Sequence, residues 1–481
     1  MPLPVDRCDA SAKQPSAAGA ANRGLRARIL RGAGYMAMRQ AAGVVLGFGG
    51  VLLLTRAIGP ADYGLYAAAV GLFAYVQGLC HWGIQLQLVR RAAEPSRVEY
   101  DLAATALLVL ALAGAGLALL LLPLLAAWMR LAADSAVVAT VLISLPLGQV
   151  AQVPLARLER DLDYRTVASI ELLGQMSYYV VGLPLAFGGF GPWSPVIGWW
   201  AQQLIVLVLA CRGARYVPRW YWNGGQARML LSSGLRISAA YWLWNLRYLV
   251  NPLIVGRYAG PEAVGFVALA SRLAEGLSFV KAATWRIGVA ALARFQHDRS
   301  RVARAVAHGM GLQVLAVGPM LALFGAVGAW VVPLLIGDRW APVFLVFPFV
   351  ALGALVNAAF TLHTAALVTL GKNRELALFH LAHAMLLAIA ALVFVPRIGL
   401  LGYGVAEIVA LAGYGVAHAA VVRVAGPLDY RIALTWLVAI GSTLFAPRYG
   451  ALCLLGLVVI ALSPASYTAL ATYARELRQA S

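Results

Sequence analysis

Charge is scarce in this chain. Of its 481 residues 12% are Asp, Glu, Lys or Arg, whereas 62% are hydrophobic. No soluble core of ordinary size holds that much apolar surface, so the composition excludes a water-soluble globular protein and requires lipid as a second solvent. Acid is the scarcer sign, 19 residues against 38 Lys and Arg. The net charge of +19 raises nucleic acid as a partner. The basic residues, however, are scattered between apolar runs with no basic domain or stripe to track phosphates, which argues against it. Cysteine is nearly absent: Cys8, Cys80, Cys211 and Cys453 lie far apart without C-x-x-C or other ligand spacing, implying neither a disulfide framework nor a metal site. Residues Met1 to Asn22 lack an apolar h-region, so a disordered leader is expected rather than a cleaved signal peptide. Long polar connections are missing too. None exceeds about 25 residues, too few for a catalytic domain outside the membrane.

What is present is a series of apolar runs, most of them near the ~20 residues a helix needs to cross ~30 Å of hydrocarbon. They predict an all-α polytopic membrane protein. Six fall in the first half (35–55, 65–89, 102–125, 136–155, 167–187, 193–210) and six in the second (232–255, 264–290, 306–335, 343–370, 376–395, 400–422). Two weaker runs, 432–446 and 450–467, bring the expected count to fourteen spans, with twelve as the alternative. The implied organisation is a leader at 1–24, a first lobe at 25–212, a second at 228–424, a hairpin at 430–470 and a tail at 471–481. Arginine sorts the loops. Alternate connections carry clusters such as Arg90, Arg91 and Arg97 or Arg294, Arg299, Arg301 and Arg304, while the others carry one at most, such as Arg56, Arg130, Arg257 or Arg339. By the positive-inside rule both termini are expected in the cytoplasm.

The chain also repeats itself. Arg56-Ala-Ile-Gly-Pro-Ala-Asp-Tyr-Gly64 returns as Arg257-Tyr-Ala-Gly-Pro-Glu-Ala-Val-Gly265, and Leu88-Val-Arg-Arg-Ala-Ala-Glu-Pro-Ser-Arg-Val98 is answered by Leu292-Ala-Arg-Phe-Gln-His-Asp-Arg-Ser-Arg-Val302. Six spans separate the copies, so the halves share one orientation, related by an axis along the membrane normal, with a transport site expected between them. In each copy proline presets φ and glycine permits a tight reversal, which makes Arg56, Gly59, Pro60, Gly64, Arg257, Gly260, Pro261 and Gly265 structural turn residues in the first instance.

A first span followed by Arg-x-x-Gly-Pro-x-x-Tyr-Gly-x-Tyr resembles polysaccharide biosynthesis proteins of the Wzx type, flippases of lipid-linked oligosaccharides. Leu335-Ile-Gly-Asp-Arg-Trp340 and Ala-Leu-Val-Thr-Leu-Gly-Lys-Asn-Arg374 extend the resemblance along the chain. It implies the fold of the multidrug/oligosaccharidyl-lipid/polysaccharide exporter superfamily, two pseudo-symmetric six-helix lobes around a central cavity, with two extra helices in some members. It also implies a bacterial inner-membrane protein that is not an enzyme and moves a polyprenyl-diphosphate-linked oligosaccharide beside a polysaccharide polymerase and other glycan-assembly proteins. No cofactor is implied, and coupling to a proton or sodium gradient is open. The second copy departs from the pattern, with Val264 and Val267 where the first has Tyr63 and Tyr66, which weakens a substrate role for those tyrosines.

Polar groups inside spans are the site candidates, since a charge at mid-bilayer costs about 2.5–3.5 kcal/mol on insertion scales and normally faces a cavity or partner. At 100° per residue Arg236, Arg247 and Asn251 share a face of span seven with Trp244 at its edge. Guanidinium pairs with phosphate and indole stacks on sugar or cation, which suits a diphosphate sugar; Arg236 has snorkelling as its other reading. Span eight aligns Arg272, Glu275 and Arg286, with Arg272 and Glu275 able to pair at i, i+3. Glu275 is the candidate proton or cation site; Lys281 is expected to point elsewhere. Span two aligns Gln77, His81 and Gln85, and span one carries Arg39, which either snorkels or lines the cavity. His380 and His383 read as packing residues. The rival functions are a drug or cation exporter of the same superfamily, which needs acids where this chain has arginines, and a membrane glycosyltransferase or polymerase, which needs a larger external or acidic loop.

Overall fold

The computed structural model describes residues 17–91, 93–130 and 134–480; the side chains of Arg39, Arg236 and Arg286 lie outside what it describes. The described residues form helices and short connections only. The first lobe comprises α1 (Ala17–His81), α2 (Ile84–Arg90), α3 (Arg97–Met129), α4 (Ser135–Ile143), α5 (Leu145–Arg160), α6 (Tyr164–Phe187) and α7 (Trp193–Gly213). The second comprises α8 (Gly224–Asn245), α9 (Gly256–Leu277), α10 (Val280–Arg294), α11 (Arg299–Ile336), α12 (Val343–Ala359), α13 (Thr361–Thr369), α14 (Asn373–Ile398), α15 (Leu400–Ala410) and α16 (Tyr414–Ala425). Then follow α17 (Arg431–Thr443), α18 (Ala446–Tyr449), α19 (Leu455–Leu462) and α20 (Pro464–Ala480). The protein is multi-pass: Leu120, Leu124, Trp330 and Leu334 stand exposed as they do only against lipid.

By length and apolarity nine helices among the described residues qualify as spans, or up to eleven if each of two bent helix pairs is one span, against an expected fourteen. Part of the difference lies in Ala42–His81 and Tyr241–Leu277, each of which encloses a turn where the sequence divides two runs. At those turns Gly59 (φ 81°) and Gly260 (φ 85°) leave helical geometry. Pro60 and Pro261 then start the next arm, where a missing N–H costs nothing. Two other expectations change. Helix α1 begins at Ala17, inside the segment expected to be a disordered leader, and α20 runs through the boundary drawn between hairpin and tail.

Helix starts at the basic end of the bundle are capped by short polar side chains. Ser96 and Glu99 form a reciprocal capping box on α3, Asp163 accepts from the Thr166 N–H on α6, Asn223 from Gln226 on α8, and Asp298 from Arg301 on α11; each satisfies amides that lipid cannot. The connection between the lobes is tied down as well. Asp101 of α3, buried, accepts from the Tyr216 hydroxyl at 2.7 Å and the Arg219 N–H at 3.1 Å, while Thr105 accepts from the Tyr221 N–H at 3.0 Å.

Besides the two bent pairs, spans two, seven and eight, expected to be continuous, are broken. Span two stops at Trp82 (φ 46°) and Gly83 (φ 60°) before α2. Span eight stops at Ser278 and Phe279 between α9 and α10, where the Ser278 hydroxyl bonds back to the Ala274 carbonyl at 2.7 Å. Between α8 and α9 the chain tightens into a 3₁₀ turn over Leu246–Leu249 and widens into a π turn over Asn251–Val255. Pro252 accounts for this break, because it offers no N–H to the Tyr248 carbonyl and its ring crowds that carbonyl.

The lobes cross at the repeated turns. A Cβ on Gly64 of α1 would stand 1.8 Å from the Pro261 carbonyl oxygen, and one on Gly265 of α9 would stand 2.3 Å from that of Pro60. Only hydrogen fits between these backbones. Gly64→Val is expected to lower the thermal midpoint in detergent by an amount matching about 1–3 kcal/mol or more of overpacking. Gly49→Val, where a Cβ meets nothing within 4 Å, is the control and should change stability little; equal behaviour of the two variants would contradict the crossing.

Candidate functional site

Each lobe reaches across the turn face to hold the other. From the first, Arg56 donates to the Leu335 carbonyl at the end of α11 (3.1 Å). In the mirror-related sense Arg257 of the second donates to the Trp128 carbonyl at the end of α3 (3.3 Å) and stacks over the Trp128 ring at 5.0 Å. Two indoles complete the exchange: Trp128 Nε1 donates to the Leu253 carbonyl (2.8 Å) and the fully buried Trp340 Nε1 to the Thr55 carbonyl (3.0 Å). Arg339 also donates to the Arg56 carbonyl. The residues read from sequence as turn-formers therefore also lie at the lobe contact, and the Leu335–Trp340 motif supplies the other half of it.

Beneath this closed face lies a cavity of about 250 Å³ lined by Gly43, Gly47, Phe48, Gln175, Arg272 and Glu275, among others. Small residues on α1 create its wall. The Gln175 amide of α6 donates to the Gly43 carbonyl at 2.9 Å and the Tyr179 hydroxyl to the Gly47 carbonyl at 3.1 Å. A Cβ on Gly50 would fall 2.3 Å from the Tyr179 ring, so the bare backbone is what lets that ring lie flat on α1.

Two arginines from the second lobe flank one acid here. Glu275 lies in the last turn of α9, and its carboxylate pairs with Arg247 at 3.5 Å, not with Arg272 as the i, i+3 spacing suggests. Arg247 sits in the 3₁₀ turn, its guanidinium 4.3 Å from the Trp244 ring centroid and 5.3 Å from that of Tyr248. Trp244 in turn packs on His380 (4.8 Å) and His383 (6.3 Å) of α14. Arg272 instead lines the cavity with Gly43, Gly47 and Gln175. Asn251 is not on the Arg247 face. The break in span seven turns it toward α9, where it donates to the Val264 carbonyl at 3.2 Å.

The remaining candidates divide. Gln85 donates to Glu159 within the first lobe at 3.3 Å, Gln77 lies near Gly148 on α5, and His81 faces Tyr241 of α8 at 6.2 Å; the break at Trp82 and Gly83 separates Gln85 from the other two. The side chains of Arg39, Arg236 and Arg286 are outside the described residues. Sequence reasoning missed three groups. Lys281, expected to point elsewhere, donates to Asn357 at 2.9 Å, and Asn357 to the Tyr414 hydroxyl at 2.8 Å. Glu407 accepts from Tyr403 at 2.7 Å and lies against Gly353; the Tyr-x-x-x-Glu spacing in an apolar helix was its signal. A chain of four tyrosines was the third, legible as Tyr63-x-x-Tyr66 and Tyr178-Tyr179 but not as neighbours in space.

The two-lobed bundle of membrane-spanning helices, closed at one face over a cavity, is a fold shared with solved transporters. Lipid II flippase MurJ in an inward closed conformation superposes with TM-score 0.70 at 11% identity, over 93% of this chain and 99% of that one. An inward-facing multidrug resistance transporter of the MATE family gives TM-score 0.50 at 16% identity, over 80% and 94%. The family model described as polysaccharide biosynthesis protein matches residues 53–345, more than half of the chain, and the protein belongs to that family. It is 24% identical over 331 residues to the succinoglycan biosynthesis transport protein ExoT of Rhizobium meliloti (strain 1021). That match covers 67% of this chain and 66% of ExoT, just under two thirds of the relative's length.

Glu275 is the one acid among the described cavity-lining residues, and loss of its charge leaves Arg247 unpaired there. Glu275→Gln is expected to tighten binding of inorganic diphosphate to the purified protein at least about threefold, roughly 0.6 kcal/mol, measured by calorimetry. Unchanged or weaker binding would contradict the placement of Glu275 beside Arg247.

Proposed function

We propose that this protein moves a polyprenyl-diphosphate-linked oligosaccharide from the cytoplasmic to the periplasmic leaflet of the bacterial inner membrane by alternating access, for assembly of a surface polysaccharide. The observation that carries the reading is Arg272 and Glu275 lining a cavity between the lobes, with Arg247 paired to Glu275 from outside that lining. Bidentate, permanently charged donors suit a diphosphate, and Trp244 beside Arg247 offers an aromatic face to a sugar. The basic loops face the cytoplasm in this reading, so the closed turn face is periplasmic and the structure stands shut toward the outside. At about 250 Å³ the cavity matches a diphosphate rather than an oligosaccharide, so the lobes separate on the cytoplasmic side to admit the sugars.

The lipid chain has a surface of its own. A second cavity of about 590 Å³, lined by Leu315, Pro319, Trp330, Leu454, Leu457 and Ile460 among others, is almost wholly apolar and runs between α11 and the last helices. It accommodates polyprenyl while the head crosses inside. The names of the relatives agree in kind, one a succinoglycan biosynthesis transport protein and one a lipid II flippase. A cation exporter fits less well, because Glu275 is the one acid among the described cavity-lining residues and is already paired. Coupling to a proton or sodium gradient through Glu275, and hand-over to a polysaccharide polymerase, belong to the same proposal.

In proteoliposomes containing a labelled polyprenyl-diphosphate sugar, the protein is expected to speed translocation. Arg247→Ala or Arg272→Ala should slow it about tenfold or more, the equivalent of ~1.4 kcal/mol, with folding intact by chromatography. Imposed proton and sodium gradients separate the two couplings. Wild-type rates in both variants, or formation of new glycosidic bonds, would overturn the reading.

A further inference from the structure

The lobes also meet on the side away from the repeated turns, and that contact is built differently. The second arm of α1 ends there at His81, and α8 runs beside it from the basic end of the bundle in the opposite sense. A Cβ on Gly78 would stand 2.5 Å from Asn245 Nδ2, and one on Gly234 would stand 2.2 Å from the Trp82 carbonyl oxygen. The Trp82 and Trp242 rings meet edge to face at 5.3 Å. Gln87 of α2 donates to the Leu230 carbonyl at 3.4 Å and accepts from the Ser233 hydroxyl.

The two contacts treat their donors in opposite ways. On the turn face Arg56, Arg257, Trp128 and Trp340 each reach a carbonyl of the other lobe. On the basic side Ser238 Oγ, Trp242 Nε1 and Asn245 Nδ2 are buried with no hydrogen-bond partner among the described residues. Spacings of four and three put this row on one face of α8, the face that Gly234 and Asn245 turn toward Trp82 and Gly78. Ser238 and Asn245 are each only 3% exposed. Buried polar groups in folded proteins are nearly always paired, the indole N–H included. Three orphaned donors along one helix face therefore mark a surface whose partner arrives when the lobes part.

We propose that this face of α8 is a sugar subsite: with the lobes separated on the basic side, Ser238, Trp242 and Asn245 donate to the hydroxyls of the neutral sugar next to the diphosphate. This rests on the reading that the cavity takes a diphosphate-linked sugar. All three donors are uncharged, which suits hydroxyl oxygens; phosphate is matched by charged donors, and one stands just beyond the row, since Arg247 follows Asn245 by two residues. At ~1.5 Å per residue the row covers about 10 Å of helix, leading from Arg247 toward the cytoplasmic end, the direction in which sugars extend from a diphosphate held at Arg247. Trp82 and Trp242, once apart, offer flat apolar faces to the sugar ring. Gly78 and Gly234 let the contact close over the row when no sugar is bound. Sugar pairs the donors in the open state and cannot reach them in the closed one, so it binds the open state better, the condition for any ligand to shift a conformational equilibrium. A site built for hydroxyls also discriminates against the ligand that lacks them.

The test compares two probes on the full-length protein in nanodiscs, polyprenyl diphosphate and the same lipid carrying one hexose. The unaltered protein should bind the hexose-bearing lipid about tenfold more tightly. Ser238→Ala with Asn245→Leu should bring that ratio close to unity while the thermal midpoint holds or rises, because apolar groups of similar shape replace orphaned donors. Trp242→Phe keeps a ring and loses the N–H; it should lower the ratio by itself, and it reads the subsite if the double variant does not fold. A merely structural role for these side chains would lower the midpoint and leave the ratio as it was. A ratio unchanged in the folded variants, or close to unity in the unaltered protein, would overturn the subsite and leave the transport reading standing. Binding of neither lipid to the unaltered protein would overturn both.

Discussion

Two helices meet backbone to backbone where α1 and α9 cross, and the geometry of the molecule follows from that approach. The carbonyls of Pro60 and Pro261 occupy the space in which Cβ atoms of Gly265 and Gly64 would stand. Such closeness needs glycine on both sides, a turn that presents the carbonyls, and an arm starting at proline. The duplicated motif supplies all three. Once the arms are crossed, Arg56 and Arg257 fall within reach of the helix ends of the opposite lobe, and Trp128 and Trp340 within reach of opposite carbonyls. A helix end in lipid has carbonyls that water does not reach, so each lobe completes the hydrogen bonding of the other.

Closure on one side concentrates charge in the middle. Arginine side chains far from either surface are costly unless something receives them, and each has a distinct solution. Arg247 is received by Glu275, Trp244 and Tyr248, at the one point where span seven abandons regular helix. Arg272 opens into the cavity that it lines with Gly43, Gly47 and Gln175.

The sequence made the membrane class, most helix positions and the lobe repeat legible, because apolar length and Gly-Pro punctuation are local signals. The site was legible by residue more than by arrangement. Arg247, Trp244, Arg272 and Glu275 stand out as polar groups in apolar runs, but a helical wheel assumes 3.6 residues per turn, and Pro252 ends that register before Asn251 is placed. Pairing Arg272 with Glu275 from their spacing ignored Arg247, which reaches Glu275 from another segment. Lys281 was set aside because span eight was read as continuous; the break at Ser278 and Phe279 re-aims it toward Asn357. The tyrosine chain joins residues more than a hundred positions apart, and Gly50 and Gly47 admit Tyr179, an agreement between α1 and α6 that no local pattern records.

The central claim is that the crossing of the duplicated turns must open and close during transport. It is tested most directly by joining Ala61→Cys to Glu262→Cys with a short bifunctional thiosulfonate reagent, on a background without the native cysteines, in proteoliposomes carrying a labelled polyprenyl-diphosphate sugar. The account predicts that the link stops translocation and that a reductant restores it; translocation continuing at the unlinked rate with the link intact would contradict it.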